Sequence, residues 1–359
     1  MRSSNPRGRS VDGVTLTGGD GAPITVAVES VDLLEGTSEV VRFLLRKLGH
    51  VLVVLFLVSL VVGFLLDLTP GDPAYAILGD QVTPAQVALV HKQLHLDDPF
   101  LTRYGRWLGN VLHGDFGSSY QTGEKVTDQI RERAPVSIEL IVLAMLIALS
   151  ISIPAGVYSA YRADGRFDRV WSLFSSVLIG IPPFVSALVF VSVFGLALRN
   201  FPIHFPVTGW TPLTRDPVDN LWHAFLPSLT LGLAMMPAFS RVLRADMIST
   251  LQEDYVLAAR AKGVPPRRIL LRHALRPSSF SLLTLAGISL GQLIGATVIV
   301  ETVFALPGIG ALIISDILMK DVVTVQGVVM FVAIVYVLLN TSLDLVYRAL
   351  DPRIRTRSA

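Results

Sequence analysis

Apolar residues in this chain gather into six long runs, 48–66, 136–158, 170–198, 222–240, 279–300 and 322–345, separated by polar stretches rich in Gly, Pro and charge. Each run is about long enough for a helix to cross the hydrocarbon of a bilayer, which takes ~20 residues. The pattern therefore predicts six membrane-spanning helices. The fourth run is the least apolar and contains Pro227 and Pro237. The first follows Arg42, Arg46 and Lys47, starts far from the N-terminus and has no small-residue cleavage site in the LTPGDP after it. It reads as a retained span rather than a secretion signal.

The polar stretches set the organisation. Residues 1–40, rich in Gly, Ser, Thr and Asp without a sustained period, are expected to form a flexible tail. The first span follows at 41–66. Segment 67–135 carries six basic and nine acidic residues, with turn signals at Pro70-Gly71, Asp72-Pro73, Gly114 and Gly117. Within it, Thr83 as cap and Pro84 at the first helical position predict a helix through Leu94. This is a helical insert outside the membrane. The remaining spans form a core over 136–347, and 348–359 is a second tail.

Composition narrows the class. Only 16% of residues are charged and 52% are hydrophobic, with mean hydropathy +0.58, against ~25% charged in soluble proteins. A soluble enzyme and a disordered scaffold are both excluded. The absence of cysteine excludes disulfides, thiolate metal sites and cysteine nucleophiles. Net charge is only +2, but with the N-terminus inside, the cytoplasmic segments hold 21 basic residues against nine outside. Leaving out 67–135, which exceeds the ~60-residue limit of the positive-inside rule, only three remain outside. Both termini are expected in the cytoplasm.

The most informative stretch is the cytoplasmic loop 241–277, with eight basic and three acidic residues around DYVLAARAKG, Asp254 to Gly263. On a helix, Tyr255, Ala258, Ala259 and Lys262 share one face. That face is nearly all small, so a partner's backbone could approach it closely. Gly263 ends the helix in a conformation glycine adopts cheaply. Val264-Pro265-Pro266 turns the chain, and Arg267 to Leu275 returns it to the membrane. An ordinary basic loop would explain the arginines, but not the small face, the Gly or the Pro-Pro.

DYVLAARAKG resembles the EAA motif of bacterial ABC-importer permeases, in the variant of the dipeptide/oligopeptide/nickel permease family. TPGDPA (69–74), HLDDPFLTRYGRWL (95–108), GDFGSSY (114–120), VETVFALPGIG (300–310) and LDPRIR (350–355) resemble further family landmarks in family order, over about 310 residues. Leu257 stands where the EAA motif has its glutamate, so the resemblance shifts the acidic docking role to Glu253 or Asp254. Tail 1–40 has no counterpart in shorter family members.

The resemblance implies an all-α integral membrane protein with the type I ABC importer permease fold, six transmembrane helices and a small extracytoplasmic insert, in a bacterial inner membrane. It implies pairing with a second homologous permease, two ATP-binding subunits and an extracytoplasmic substrate-binding protein, received through 67–135 and the loop 199–221. It assigns ATPase coupling to Glu253, Asp254, Tyr255, Ala258, Ala259, Arg260, Lys262 and Gly263. Glu301 would brace the turn Pro307, Gly308, Gly310. No G-x-x-x-x-G-K-[ST] loop occurs here, so ATP and Mg2+ would belong to the partners and this chain would hold no cofactor.

Other features leave alternatives open. Gly287, Gly291 and Gly295, four apart in the fifth span, serve either helix packing or the translocation path. Pro154, Pro182-Pro183, Pro227 and Pro237 would break or kink spans, which neighbouring helices or a water-filled cavity tolerate. Glu139, Glu301 and Asp344 all lie near span ends, whereas a proton- or sodium-coupled carrier needs acidic groups near the midplane. His91 and His95, at i and i+4, could share a metal, but they sit in a solvated insert and HKQLH lacks the glutamate of a zinc-protease helix. No catalytic set, metal site or nucleic-acid patch is assigned. The expected function is import of di- or oligopeptides. The alternatives are nickel, glutathione or haem as cargo, or a self-powered carrier or channel.

Overall fold

The computed structural model describes residues 13–17, 23–27, 33–68, 74–75, 83–197 and 205–350, with side chains from 46 onward except at 65–73, 76–82, 93–94 and 344–350. TPGDPA before Ala74, LDPRIR beyond Leu350, the side chain of Asp344, the start of the loop 199–221 and much of both tails lie outside the described residues. The helices are α1 (Leu33–Leu68), α2 (Pro84–Leu94), α3 (Phe100–Leu112), α4 (Val126–Tyr161), α5 (Arg166–Ile179), α6 (Pro183–Ser192), α7 (Pro217–Leu251), α8 (Asp254–Ala261), α9 (Leu275–Val303), α10 (Ile309–Leu318) and α11 (Val322–Leu350).

The chain divides inside α1 into two compact units, Met1–Val54 and Leu55–Ala359. The first contains an antiparallel hairpin of β1 (Gly13–Thr17) and β2 (Pro23–Ala27), with Gly13 opposite Ala27 and Thr17 opposite Pro23. Part of the expected structureless segment 1–40 is thus paired strand, and α1 starts at Leu33 rather than 41.

Among the described residues, five helical stretches are long and apolar enough to cross a membrane: Arg46–Phe64, which contains the division between the units, Val126–Tyr161, Pro217–Leu251, Pro266–Val303 and Val322–Leu343. The third expected span is not one helix. Arg166–Ile179 and Pro183–Ala197 meet at 98°. Pro182 cannot donate a backbone hydrogen bond and restricts Ile181 before it, while Pro183 restarts a helix whose first N–H would be unpaired anyway. Among the described residues, six spans are reached if this bent pair counts as one.

By contrast, α4 runs unbroken through Pro135 and Pro154, and α7 through Pro227 and Pro237. These two helices form the centre of the unit. Leu140, Ala144, Ala148, Ser152 and Ala155 line the buried face of α4 at helical spacing. Small residues bring the backbones together, which substitutes for a hydrophobic driving force inside lipid. A Cβ added at Gly156 would lie 3.1 Å from the Ser240 carbonyl, and one at Gly232 would lie 3.0 Å from that of Ala144. Ser152 Oγ donates to the Met236 carbonyl at 3.0 Å, beside Pro237.

Residues 126–135, expected in the external insert, form the first turns of α4. Val126 and Ile130 pack there with Ile309, Leu312 and Val328. Thr83 caps α2 through a reciprocal pair with Gln86. Tyr104 on α3 lies over Gly63 of α1 and shares a 2.7 Å hydrogen bond with Ser59. The GDFGSSY turn reaches the other end of the sequence, where Ser119 Oγ donates to buried Asp321 at 2.5 Å and Asp321 caps α11 through the Thr324 N–H.

Candidate functional site

The loop 241–277 folds as a knuckle between α7 and α9. α7 ends at Leu251, and Glu253 opens α8, which lasts eight residues. Asp254 lies in the first turn and Arg260 in the last, matching the helix dipole at both ends. Gly263 takes φ +74°, in the left-handed region, and its N–H donates to the Arg260 carbonyl. Pro265 leads into a helical turn (Pro266–Arg268) and a π-helical segment (Ile269–Ala274) that joins α9.

One residue of α8 anchors it. Val256 is fully buried among Met247, Leu251, Ile269 and Ala274. Glu253, Asp254, Tyr255, Leu257, Ala258, Arg260, Lys262 and Gly263 are exposed, and Ala259 is half-buried. Of the expected small face, Tyr255, Ala258 and Lys262 therefore point outward, and Ala259 lies at the edge of the buried side. Tyr255 Oη donates to the His273 carbonyl at 3.1 Å, tying α8 to the approach of α9. A cleft of about 550 Å³ lies beneath, lined by Ala160, Tyr161, Leu251, Arg260, Val264 and Ile269 among others.

A feature that sequence reasoning missed lies two turns back along α7. Arg244 grips Asp168 of α5 with two parallel bonds, Nε to Oδ1 and Nη2 to Oδ2, both 2.6 Å. Asp168 is 3% exposed and also accepts the Asp164 N–H at 2.9 Å. The partners are 76 residues apart, so no local spacing could pair them; the only sequence signal was an acid within the Arg162, Arg166, Arg169 cluster.

Glu301, fully buried, receives three bonds: from Ser137 Oγ at 2.6 Å and from the N–H groups of Gly310 and Ala311 at 2.7 and 3.1 Å. The Ile309 N–H donates to Ser137 Oγ. The start of α10 is thus capped from α9 and α4 together. A Cβ at Gly308 would overlap the Glu301 carboxylate, and one at Gly310 would overlap the Val298 backbone; Pro307 is exposed beside them.

The glycine stripe does not act as one surface. Gly287 is buried, a Cβ at Gly291 would meet Tyr336 of α11 at 2.7 Å, and Gly295 has open space around it. Glu139 and Glu132 border a cleft of about 820 Å³ with Trp210 and Pro307. His91 pairs with Asp97 at 2.8 Å, and His95 closes α2 in a left-handed conformation. Outside the spans, burial and the nearby Asp321 carboxylate push Asp316 up to about 6. Burial, again with Asp321, pushes the Tyr120 phenol up to about 12.

Residues 152–356 match the family described as "Binding-protein-dependent transport system inner membrane component", and residues 40–141 match its N-terminal companion. A probable peptide ABC transporter permease of Sinorhizobium fredii is 35% identical over 313 residues, 87% of this chain and 99% of that one. The glutathione transport system permease GsiC of Escherichia coli is 31% identical over 314 residues, 88% of this chain and 99% of its own. Among solved structures, an inward-facing MetNI methionine ABC transporter is similar in fold, with TM-score 0.50, 15% identity, and coverage of 62% of this chain and 96% of that one.

Proposed function

This chain belongs to the binding-protein-dependent transport system inner membrane components, and we propose that it forms, with a homologous second permease, the pathway of an ATP-driven importer of di- or oligopeptides. Its place is a multi-pass position in the inner membrane. Counting the bent α5–α6 pair as one crossing keeps both termini on the same side, and the basic-residue bias puts that side in the cytoplasm.

The observation that carries the reading is the knuckle. α8 is held to the membrane core by a single buried valine and by the Tyr255–His273 bond, while an outward strip of small and charged residues stays open. Such a strip suits a groove on a separate ATPase. Glu253 and Asp254 supply the acidic end, Arg260 and Lys262 the basic end, and Ala258 with Ala259 the close approach. Two ATPase subunits bind ATP and Mg2+, and a binding protein delivers cargo to the opposite side. Moving a permease from 1:99 to 99:1 between two orientations takes ~5.5 kcal/mol of differential binding, and a tight fit at α8 lets that work pass without slippage.

Peptides are the cargo named for the 35% relative and glutathione for GsiC, so glutathione is the second reading. The test is to co-express the chain with its second permease, ATPases and binding protein. ATP-dependent uptake is then measured across dipeptides, longer peptides, glutathione, Ni2+ and haem. Peptide uptake that needs all the subunits is expected. Uptake by this chain alone, without ATP, would instead make it a self-powered carrier.

A further inference from the structure

α5 is attached to its neighbours in an unusual way. Its buried residues are Asp168 and Ser175, both polar, whereas its apolar side chains Val170, Leu173 and Val177 are exposed. A helix fixed by apolar packing is held over an area. α5 is held to α7 chiefly at points: the double Asp168–Arg244 bond at 2.6 Å and a 2.7 Å bond from Arg241 Nη2 to Ser176 Oγ. α7 is the helix that continues, two residues past Leu251, into α8. It is packed backbone to backbone on α4 through Gly156 and Gly232, so α4 and α7 form one stiff block. α5 in turn leads through the 98° bend into α6.

Resting on the docking reading of α8, we infer that Asp168 and Arg244 are positioning residues for transport: they form a joint through which a shift of α8 and α7 is passed to α5 and so to the bend that follows it. The chemistry suits a joint. A bidentate guanidinium–carboxylate pair is strong and fixes the relative angle of its two elements. It also resists separation, because a buried charge left without its partner is costly. Lysine would keep the charge but lose the fixed angle.

The complete complex in proteoliposomes tests this through ATP hydrolysed per substrate imported. With Asp168→Asn or Arg244→Lys, that ratio is expected to rise about tenfold, within the span of coupling energies between sites, while hydrolysis stays within about twofold of wild type. The exchanged pair, Asp168→Arg with Arg244→Asp, is expected to bring the ratio back down. An unchanged ratio, or hydrolysis and uptake lost in parallel with no rescue by the exchange, overturns the joint. Should the variants fail to insert, the intact pair can be followed directly, since the chain has no native cysteine. Spin labels at Leu173→Cys of α5 and Ala245→Cys of α7, both exposed, should keep their separation when nucleotide binds. A change of more than about 5 Å, one helical turn, overturns the joint. A wild-type complex without ATP-dependent import would sink the docking reading and this inference together, whereas normal import with an unchanged ratio sinks this inference alone.

Discussion

The carboxylate of Glu301 accepts the backbone N–H of Gly310, nine residues further along the chain, at 2.7 Å, and so closes the turn that starts α10. Its other oxygen holds Ser137 of α4, so one side chain binds three elements. Glu301→Ala leaves those donors unpaired in a buried site and should cost ~2–4 kcal/mol. Glu301→Gln keeps the shape but gives up the charge-assisted bonds and should cost less. Thermal unfolding of the purified chain in detergent measures both, and Gly308→Ala should behave like the alanine variant because its Cβ enters the same carboxylate.

Asp316 gives a pH dependence with a definite sign. Its folded-state pKa, about 6, lies above the ordinary 3.8, so the folded protein binds this proton more tightly than the unfolded chain does. The associated stability is present below about pH 4 and is lost as pH rises through about 6. Asp316→Asn removes the penalty on the charged form. It should gain ~1–2 kcal/mol over wild type at pH 7.5 and show little difference at low pH. Melting curves at several pH values decide it. Equal gaps at pH 4 and 7.5 would mean that neither Asp321 nor burial acts on this carboxylate as described.

Bulk on the knuckle should separate folding from transport. Ala258→Trp adds volume on the exposed strip and leaves Val256 in its buried seat. Gly263→Val forces a β-branched residue into φ +74°, a strain of ~1–2 kcal/mol confined to a surface turn. Both variants should reach the membrane in normal amount and lose ATP-dependent uptake. Undiminished uptake in Ala258→Trp would remove α8 from the coupling interface.

The fifth-span glycines should respond unequally. Gly291→Leu drives a side chain into Tyr336 and should destabilise by ~1–3 kcal/mol, the usual cost of overpacking. Gly295→Leu enters open space and should leave the melting temperature unchanged. If that space belongs to the pathway or to the contact with the second permease, uptake by Gly295→Leu falls while the protein stays folded.

Much of this architecture could be read from the residues, and the exceptions have physical reasons. The long apolar runs marked their helices because a helix satisfies its own backbone groups in lipid and needs ~20 apolar residues to cross it. Thr83 and Pro84 marked α2 because capping is local. The start of α4 was hidden because Asp128, Arg131, Glu132 and Arg133 look like loop, although Val126 and Ile130 are core. β1 and β2 alternate Val14, Leu16 and Ile24, Val26 with other residues, a short signal lost among glycines. Run 170–198 looked continuous because apolar composition carries no angle; Pro182-Pro183 marked the break but not its 98°. Asp168 and Arg244 belong to a class that sequence spacing cannot reveal, since contact between remote positions is made by the fold itself.

The elbow after Ile179 has a consequence for the lipid seal. The two arms, Arg166–Ile179 and Pro183–Ala197, have 14 and 15 residues, so at ~1.5 Å per residue neither arm alone reaches across ~30 Å of hydrocarbon. Peptide groups at a corner cannot be left facing oil. Other protein or water must therefore meet the chain there. A corner that must stay sealed needs a firm hold on its first arm, which is gripped at its foot by the Asp168 carboxylate and close to the bend by the Ser176 hydroxyl.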